Sequence, residues 1–295
     1  MKVLIYGKTV LQSQVESIQL LFDLLHGEEA KILVFGPYLK QIEPLIAIPG
    51  NIEEIRNYLE LVQHRPDFVF TLGGDGTILS AATLIRDSNI PIVGINLGRL
   101  GFLASIEEKV MKEAFQMIRH NKYRLEERSM IYLDSSQPIF GENLFALNDF
   151  TILKRDNSSM IIIHAFINGE FLNSYWADGL IVSTPTGSTG YSLSCGGPIV
   201  FPDSHNFIIT PVAPHNLNVR PLVISDTSVI SFEVEGRTEN FLCTLDSRFE
   251  LITQEFKLSI RKCEFGIRLV QLEEMSFSKT MRNKLMWGHD TRKHY

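Results

Sequence analysis

The run Leu72-Gly73-Gly74-Asp75-Gly76-Thr77 sets one carboxylate among three glycines. Glycines let a backbone come close to a ligand, and a helix that starts there offers free N–H groups to phosphate oxygens. Asp75 in such a turn faces the ligand, either as a base or as the partner of a cation. A plain strand-to-helix turn needs one glycine, not three. The carboxylate gains no obvious packing there and repels anionic phosphates, which points to chemistry. A second stretch, Ala177-Asp178-Gly179, leads through the apolar Leu180-Ile181-Val182 into Ser183-Thr184-Pro185-Thr186-Gly187-Ser188-Thr189-Gly190-Tyr191. It reads as a buried strand delivering a loop rich in hydroxyls and glycine beside a flat aromatic, which suits a nucleotide base and ribose. A third candidate is Asn148-Asp149, two polar residues inside the apolar run Leu144–Leu153. On a strand they point to opposite faces, so one can enter a site while the other turns the chain.

Several common chemistries are excluded. Gly7-Lys8-Thr9 imitates the end of a Walker A loop, but Lys2 stands where that loop needs its first glycine. A dinucleotide fingerprint started at Gly74 fails at Leu79. Ser188 is not a hydrolase nucleophile, because Gly187 abuts it and the G-x-S-x-G elbow is lost. None of the eight histidines forms H-E-x-x-H; each reads as structural or surface.

These residues need elements to hold them. Lys2–Tyr6, Lys31–Phe35, Asp67–Leu72 and Ile92–Ile95 read as strands. Helices are expected over Val15–Leu25, Asn51–Val62 and Thr77–Arg86. Such alternation implies a parallel sheet with helical crossovers. From about Tyr123 the texture becomes β-rich and antiparallel. Strands are expected at Arg128–Leu133, Leu144–Leu153, Met160–Ile167, Phe171–Trp176, Leu222–Ser225, Val229–Val234, Phe241–Leu245 and Lys257–Arg261. Asn168-Gly169 is a hairpin signal. A last helix, Ser278–Trp287, precedes a polar tail. The reading divides the chain into an α/β domain over 1–122, a β-rich substrate-binding domain over 123–270, and a C-terminal helix and tail over 271–295.

With 28 Lys+Arg against 34 Asp+Glu in 295 residues, the chain carries a formal charge of −6. That argues against a broad nucleic-acid surface. Three cysteines without C-x-x-C spacing form neither a disulfide framework nor a zinc site. No apolar run approaches the ~20 residues of a membrane span. A reduced, cytoplasmic, soluble protein is expected.

The combined motifs resemble those of the NAD kinase family, which phosphorylates the adenosine 2′-hydroxyl of NAD to make NADP. The resemblance runs through Gly73–Thr77, Asn96 with Leu100-Gly101-Phe102-Leu103, Asn148-Asp149, Ala177–Tyr191, Ser192–Pro198, Pro214-His215 and Arg220–Val223. It implies two domains, with Asp75 as catalytic base and Gly76 against the substrate. It implies that Asn148 and Asp149 bind ribose hydroxyls and that Asp178 contacts the nicotinamide half. Thr189, Gly190, Tyr191 and Ser194 would surround the adenine, with Phe102 packing on it, and Ser192 and Leu193 would be substrate-binding as well. A divalent cation, usually magnesium, ATP or another phosphoryl donor, and a homodimer or homotetramer follow from the same likeness.

The sequence departs from the family at four places. Gly190 replaces the usual alanine and Asp149 the commoner glutamate. Asp246-Ser247-Arg248 replaces Asp-Gly-Gln, and Ser80 stands where some members carry a basic residue. Gly-Gly-Asp-Gly is also shared with lipid and sugar kinases, and a non-catalytic dinucleotide-binding regulator would retain the fold. A lipid kinase should add a membrane-facing apolar or basic segment, which this sequence lacks.

Overall fold

The computed structural model describes residues 1–50, 52–98, 101–155, 160–273 and 276–286. Leu100, the first residue of the expected helix at Asn51, the expected helix end at Trp287 and the polar tail lie outside them. In chain order the first elements are β1 (Lys2–Gly7), α1 (Val15–Gly27), β2 (Lys31–Phe35), α2 (Gly36–Ile42), β3 (Glu53–Ile55), α3 (Tyr58–His64) and β4 (Phe68–Leu72). Next come α4 (Asp75–Ile85), β5 (Ile92–Asn96), β6 (Ile106–Glu107), α5 (Met111–Arg119), β7 (Tyr123–Arg128), β8 (Ile131–Ser135), β9 (Phe145–Ala146) and β10 (Asp149–Lys154). Then follow β11 (Ile161–Ile167), β12 (Glu170–Ala177), β13 (Gly179–Ser183), α6 (Tyr191–Ser194), β14 (Asn206–Val212), β15 (Leu222–Ser225) and β16 (Ile230–Glu235). The last are β17 (Phe241–Leu245), β18 (Arg248–Ile252), β19 (Leu258–Lys262), β20 (Ile267–Leu272) and α7 (Phe277–Leu285).

The chain divides into two units, one of Met1–Glu127 with Ile267–Tyr295 and one of Arg128–Gly266. In the first, a sheet of order β3-β2-β1-β4-β5-β20-β7, with β6 beside β5, has the central strands β2, β1, β4 and β5 parallel. Val3, Leu4 and Ile5 are all buried, as expected of a strand covered on both faces. Ile18, Leu21, Phe22 and Leu25 of α1 form one apolar stripe against that sheet's core.

The second unit has two antiparallel sheets of six strands, β15-β14-β13-β10-β17-β18 and β12-β11-β16-β19-β8-β9. Both contribute to one core. Phe150 of β10 stacks on Phe232 of β16 with centroids 5.5 Å apart, and Ile152, Ile163, Val182, Phe207 and Ile260 fill the rest. The Asn168-Gly169 turn joins β11 to β12 with both residues at positive φ, the backbone a tight hairpin demands.

Several expectations are corrected. The expected helix over Asn51–Val62 is two elements. Leu33–Phe35 pair in parallel with Glu53–Ile55, so the sheet edge takes those residues. The Asn57 side chain then accepts the Glu60 N–H and starts α3. Leu59, expected on the buried face, is 77% exposed. The expected strand over Arg128–Leu133 breaks between β7 and β8, which belong to different sheets. Leu144–Leu153 breaks at Leu147-Asn148, and α2, β14, β18 and β20 were not anticipated. β20 matters most. Leu269 pairs in parallel with Ile92, so the chain re-enters the first sheet at Ile267, before the expected boundary at 270. No helix among the described residues is long and apolar enough to cross a membrane.

Candidate active site

Each unit holds some of the expected site residues. In the first, β4 ends at Leu72 and the chain turns through Gly73 at φ +146°, where a Cβ would meet Thr77 Oγ1 at 2.3 Å. Only glycine serves there. Gly74 caps α4 and Asp75 is its first residue. A Cβ on Gly74 or Gly76 would find no atom within 4 Å, so the two residues flanking Asp75 border open space.

Asp75, expected to gain no obvious packing, is held by backbone hydrogen bonds. Its Oδ2 accepts the N–H of Phe102 at 2.7 Å, and its Oδ1 accepts those of Leu103 and Ala104, both at 3.0 Å. Gly101 permits this approach, because a Cβ there would stand 1.8 Å from Oδ1. Three N–H bonds on one carboxylate still leave lone-pair capacity for a further donor. Phe102, expected against the adenine, is 7% exposed. Its ring packs on Phe277 of α7 at 6.1 Å, with Lys284 Nζ 4.6 Å from its centre.

In the second unit β10 and β13 run side by side, with Asp149 opposite Ser183. That register sets Asn148 and Asp149 beside the loop that leaves β13. Thr184 ties them: its N–H donates to Asn148 O at 2.9 Å and its Oγ1 to Leu147 O at 2.6 Å. A Cβ on Gly187 would lie 2.1 Å from Asn148 O, and one on Gly190 3.5 Å from Asn148 Nδ2 and 3.9 Å from Asp149 Oδ2. The Asn148 amide and the Asp149 carboxyl make no hydrogen bond to the described residues, which leaves both for a ligand.

The loop's hydroxyls were expected to face a nucleotide, yet most of them build the loop. Ser188 Oγ donates to Pro185 O at 2.6 Å and accepts the Val200 N–H at 3.1 Å. Thr189 Oγ1 donates to Thr186 O, and Ser192, fully buried, shares a 2.8 Å bond with Thr210. Leu193 and Ser194 follow on α6.

Tyr191 is 40% exposed. Burial pushes its hydroxyl up, followed by Cys195 and then by the charges of Asp149 and Asp178. The two carboxyl groups therefore both lie within electrostatic reach of Tyr191. Asp178 itself pairs with Lys154 at 2.7 Å. Burial, followed by the Asp246 charge, pushes Asp149 up to about 7.

Asp246 and Arg248 were noted in the sequence only as departures, and the structure gives both work. Asp246 accepts the N–H of Leu147, Asn148 and Asp149 at 3.0, 2.7 and 3.2 Å. Arg248 donates to the carbonyls of Asn143 and Phe145. Among the described residues no three His, Cys, Asp or Glu side chains are grouped to hold a metal ion.

Comparison with known proteins agrees over the whole length. The NAD kinase of Cytophaga hutchinsonii is 48% identical over 291 residues, 98% of each chain. That of Bacteroides fragilis strain ATCC 25285 is 43% identical over 295 residues, 99% of this chain and 100% of its own. The crystal structure of yeast NADH kinase complexed with NADH matches at a TM-score of 0.86 and 25% identity, covering 100% of this chain and 90% of that one. An NAD kinase from Archaeoglobus fulgidus in complex with ATP matches at 0.73 and 25%, covering 97% and 98%. Family models of the ATP-NAD kinase N-terminal domain over residues 13–123 and C-terminal domain over 147–272 both match, and the chain belongs to the NAD kinase family.

Proposed function

We propose that the enzyme transfers the γ-phosphoryl group of ATP to the adenosine 2′-hydroxyl of NAD, with Asp75 as the proton acceptor. The observation that carries this reading is a fixed carboxylate at the first residue of α4, bordered on both sides by glycines that leave open space. The 2′-oxygen forms its bond to the γ-phosphorus while the bond to the β,γ-bridging oxygen breaks. ADP leaves with that electron pair, and the hydroxyl proton passes to Asp75. The transition state is largely dissociative, so the protein's task is positioning and charge. A general base of this kind is worth about 10²–10⁴-fold.

Nucleotide recognition falls to the second unit. Asn148 and Asp149 take ribose hydroxyls, and Tyr191 with Thr189, Gly190, Ser192, Leu193 and Ser194 takes the adenine. Ser192 serves through the backbone it fixes, since its hydroxyl is spent on Thr210. Gly76 leaves room for substrate. Asp178 is assigned to the nicotinamide half and would exchange Lys154 for it in part. Phe102 contributes first through the N–H that holds Asp75, and packing of its ring on adenine requires α7 to yield. A divalent cation, magnesium by the family's chemistry, would arrive on the donor phosphates. A homodimer or homotetramer in the cytoplasm completes the proposal.

The test is a coupled assay for NADP from NAD, ATP and magnesium. Absence of NADP from the folded protein would end the reading.

A further inference from the structure

Asp246 sits at φ +53° in the turn between β17 and β18, yet its carboxylate is spent on residues nearly a hundred positions earlier. Three successive backbone N–H groups, those of Leu147, Asn148 and Asp149, converge on it, and its own N–H returns to Asp149 O at 2.9 Å. This closes the break between β9 and β10 and fixes the backbone from which the Asn148 and Asp149 side chains project.

The Asp246 carboxylate, held on the Asp149 N–H at 3.2 Å, also lies within electrostatic reach of the Asp149 carboxyl, and the surroundings of the two groups differ. Asp246 has three N–H donors and the Arg248 guanidinium, which oppose the upward push of burial. The Asp149 carboxyl is buried and has no donor among the described residues. Like charges so placed share one proton, and the better-solvated partner gives it up. The proton therefore sits on Asp149. The other titratable groups that face Asp149 are Tyr191 of α6 and Cys195, which follows that helix. Arg248, from the β17–β18 turn, faces Asp246 and partly offsets its charge.

We propose that Asp246 is a positioning residue for ribose recognition: its carboxylate fixes the backbone at Asn148-Asp149, and its charge decides whether Asp149 meets the ribose as an acid or as a carboxylate. This rests on the assignment of Asp149 as a ribose ligand. A vicinal diol donates two hydrogen bonds, and only the ionised carboxyl accepts both without a proton of its own in the way. NAD binding then releases a proton below the midpoint, and affinity rises tenfold for each pH unit until it levels off. The midpoint is expected near neutrality, where Asp149 titrates at about 7.

The experiment is calorimetric titration of NAD into the full-length enzyme without phosphoryl donor, from pH 5.5 to 8.5. Wild type, Asp149→Asn, Asp246→Asn and Arg248→Gln are compared. Asp149→Asn should flatten the profile. Asp246→Asn removes the neighbouring charge and should move the midpoint down by about one pH unit. Arg248→Gln retains Asp246 with its three N–H donors, removes the compensating cation together with its bonds to the Asn143 and Phe145 carbonyls, and should move the midpoint up. A merely structural role would lower affinity in both variants and leave the midpoint in place. A flat wild-type profile would overturn the proposal. Asp149→Asn with the wild-type slope would instead remove Asp149 from the ribose site. A flat Asp149→Asn profile beside unmoved midpoints in the other two variants would leave Asp149 as the ligand and refute the role of Asp246.

Discussion

Replacing Asp75 by asparagine tests two claims at once, because the same carboxylate is read as a base and as the anchor of the segment after Gly101. The amide oxygen can occupy the Oδ1 position and keep the Leu103 and Ala104 N–H bonds, both 3.0 Å long. Its NH₂ then stands at Oδ2, where the Phe102 N–H arrives at 2.7 Å. Donor meets donor and that bond is lost. One unsatisfied N–H in a half-buried place costs about 1–3 kcal/mol, which for a domain of this size is a fall in Tm of roughly 3–10 °C. Turnover should fall by about 10² or more with little change in KM for NAD, as expected when a group acts only in the transition state. Gly101→Ala attacks the same contact from the other side, since its Cβ would overlap Oδ1. The double variant should therefore lose less stability than the sum of the two singles. The measurements are thermal unfolding and steady-state NADP formation on the four proteins. Unchanged Tm in Asp75→Asn, or strict additivity with Gly101→Ala, would show that the anchor is not there. Retention of more than about a tenth of turnover would show that Asp75 is not the base.

Stability should also report on Asp149. Its carboxyl is raised to about 7 from the ordinary 3.8, so the folded state holds a proton that the unfolded chain has lost. This contribution is fully present below about pH 4 and declines by about 1.4 kcal/mol per pH unit until about pH 7; urea unfolding of Asp149→Asn should lack that decline, and a profile parallel to wild type would contradict it. Gly190 has an ordinary φ of −97° and its Cβ would come 3.3 Å from Gly187 O, so Gly190→Ala should leave KM for NAD within about twofold. Gly190→Val drives methyls toward Asn148 and Asp149 and should raise that KM by about tenfold or more, at a cost near 1.4 kcal/mol per decade. Tyr191→Ala should keep the fold, its ring being half-exposed, and weaken NAD binding by roughly 1–3 kcal/mol for a lost base stack; unchanged affinity by calorimetry would remove Tyr191 from the adenine site.

The first sheet was legible because its strands are short, wholly apolar and separated by helical spacing, as in Lys31–Phe35, which appears with the expected ends. Periodicity failed where a tertiary contact outranked it. Ile52, Ile55, Leu59 and Val62 fit a helical face, but pairing with β2 is a contact across some twenty residues that no local window contains. The same limit hid β20. Ile267–Leu272 reads like any other late strand, and only the Leu269–Ile92 pairing assigns it to the parallel sheet.

The site divides along the same line. Residues that would meet a ligand stand out because they violate their surroundings: a carboxylate among glycines, two polar residues in an apolar run, a tyrosine closing a hydroxyl-rich loop. Residues that hold those groups in place violate nothing. Thr184 and Ser188 resemble the rest of their loop, and their bonds to Leu147, Pro185 and Val200 emerge only once β10 and β13 are paired. Asp246 lies in a polar hairpin turn, where an aspartate is ordinary. Its significance comes from three N–H groups that reach it only because β10 and β17 are neighbours. A reactive group is marked by local chemistry, whereas its support is marked by distance in the chain. The residues most informative about how the backbone at Asn148-Asp149 is held were thus the ones that sequence contrast had least reason to single out.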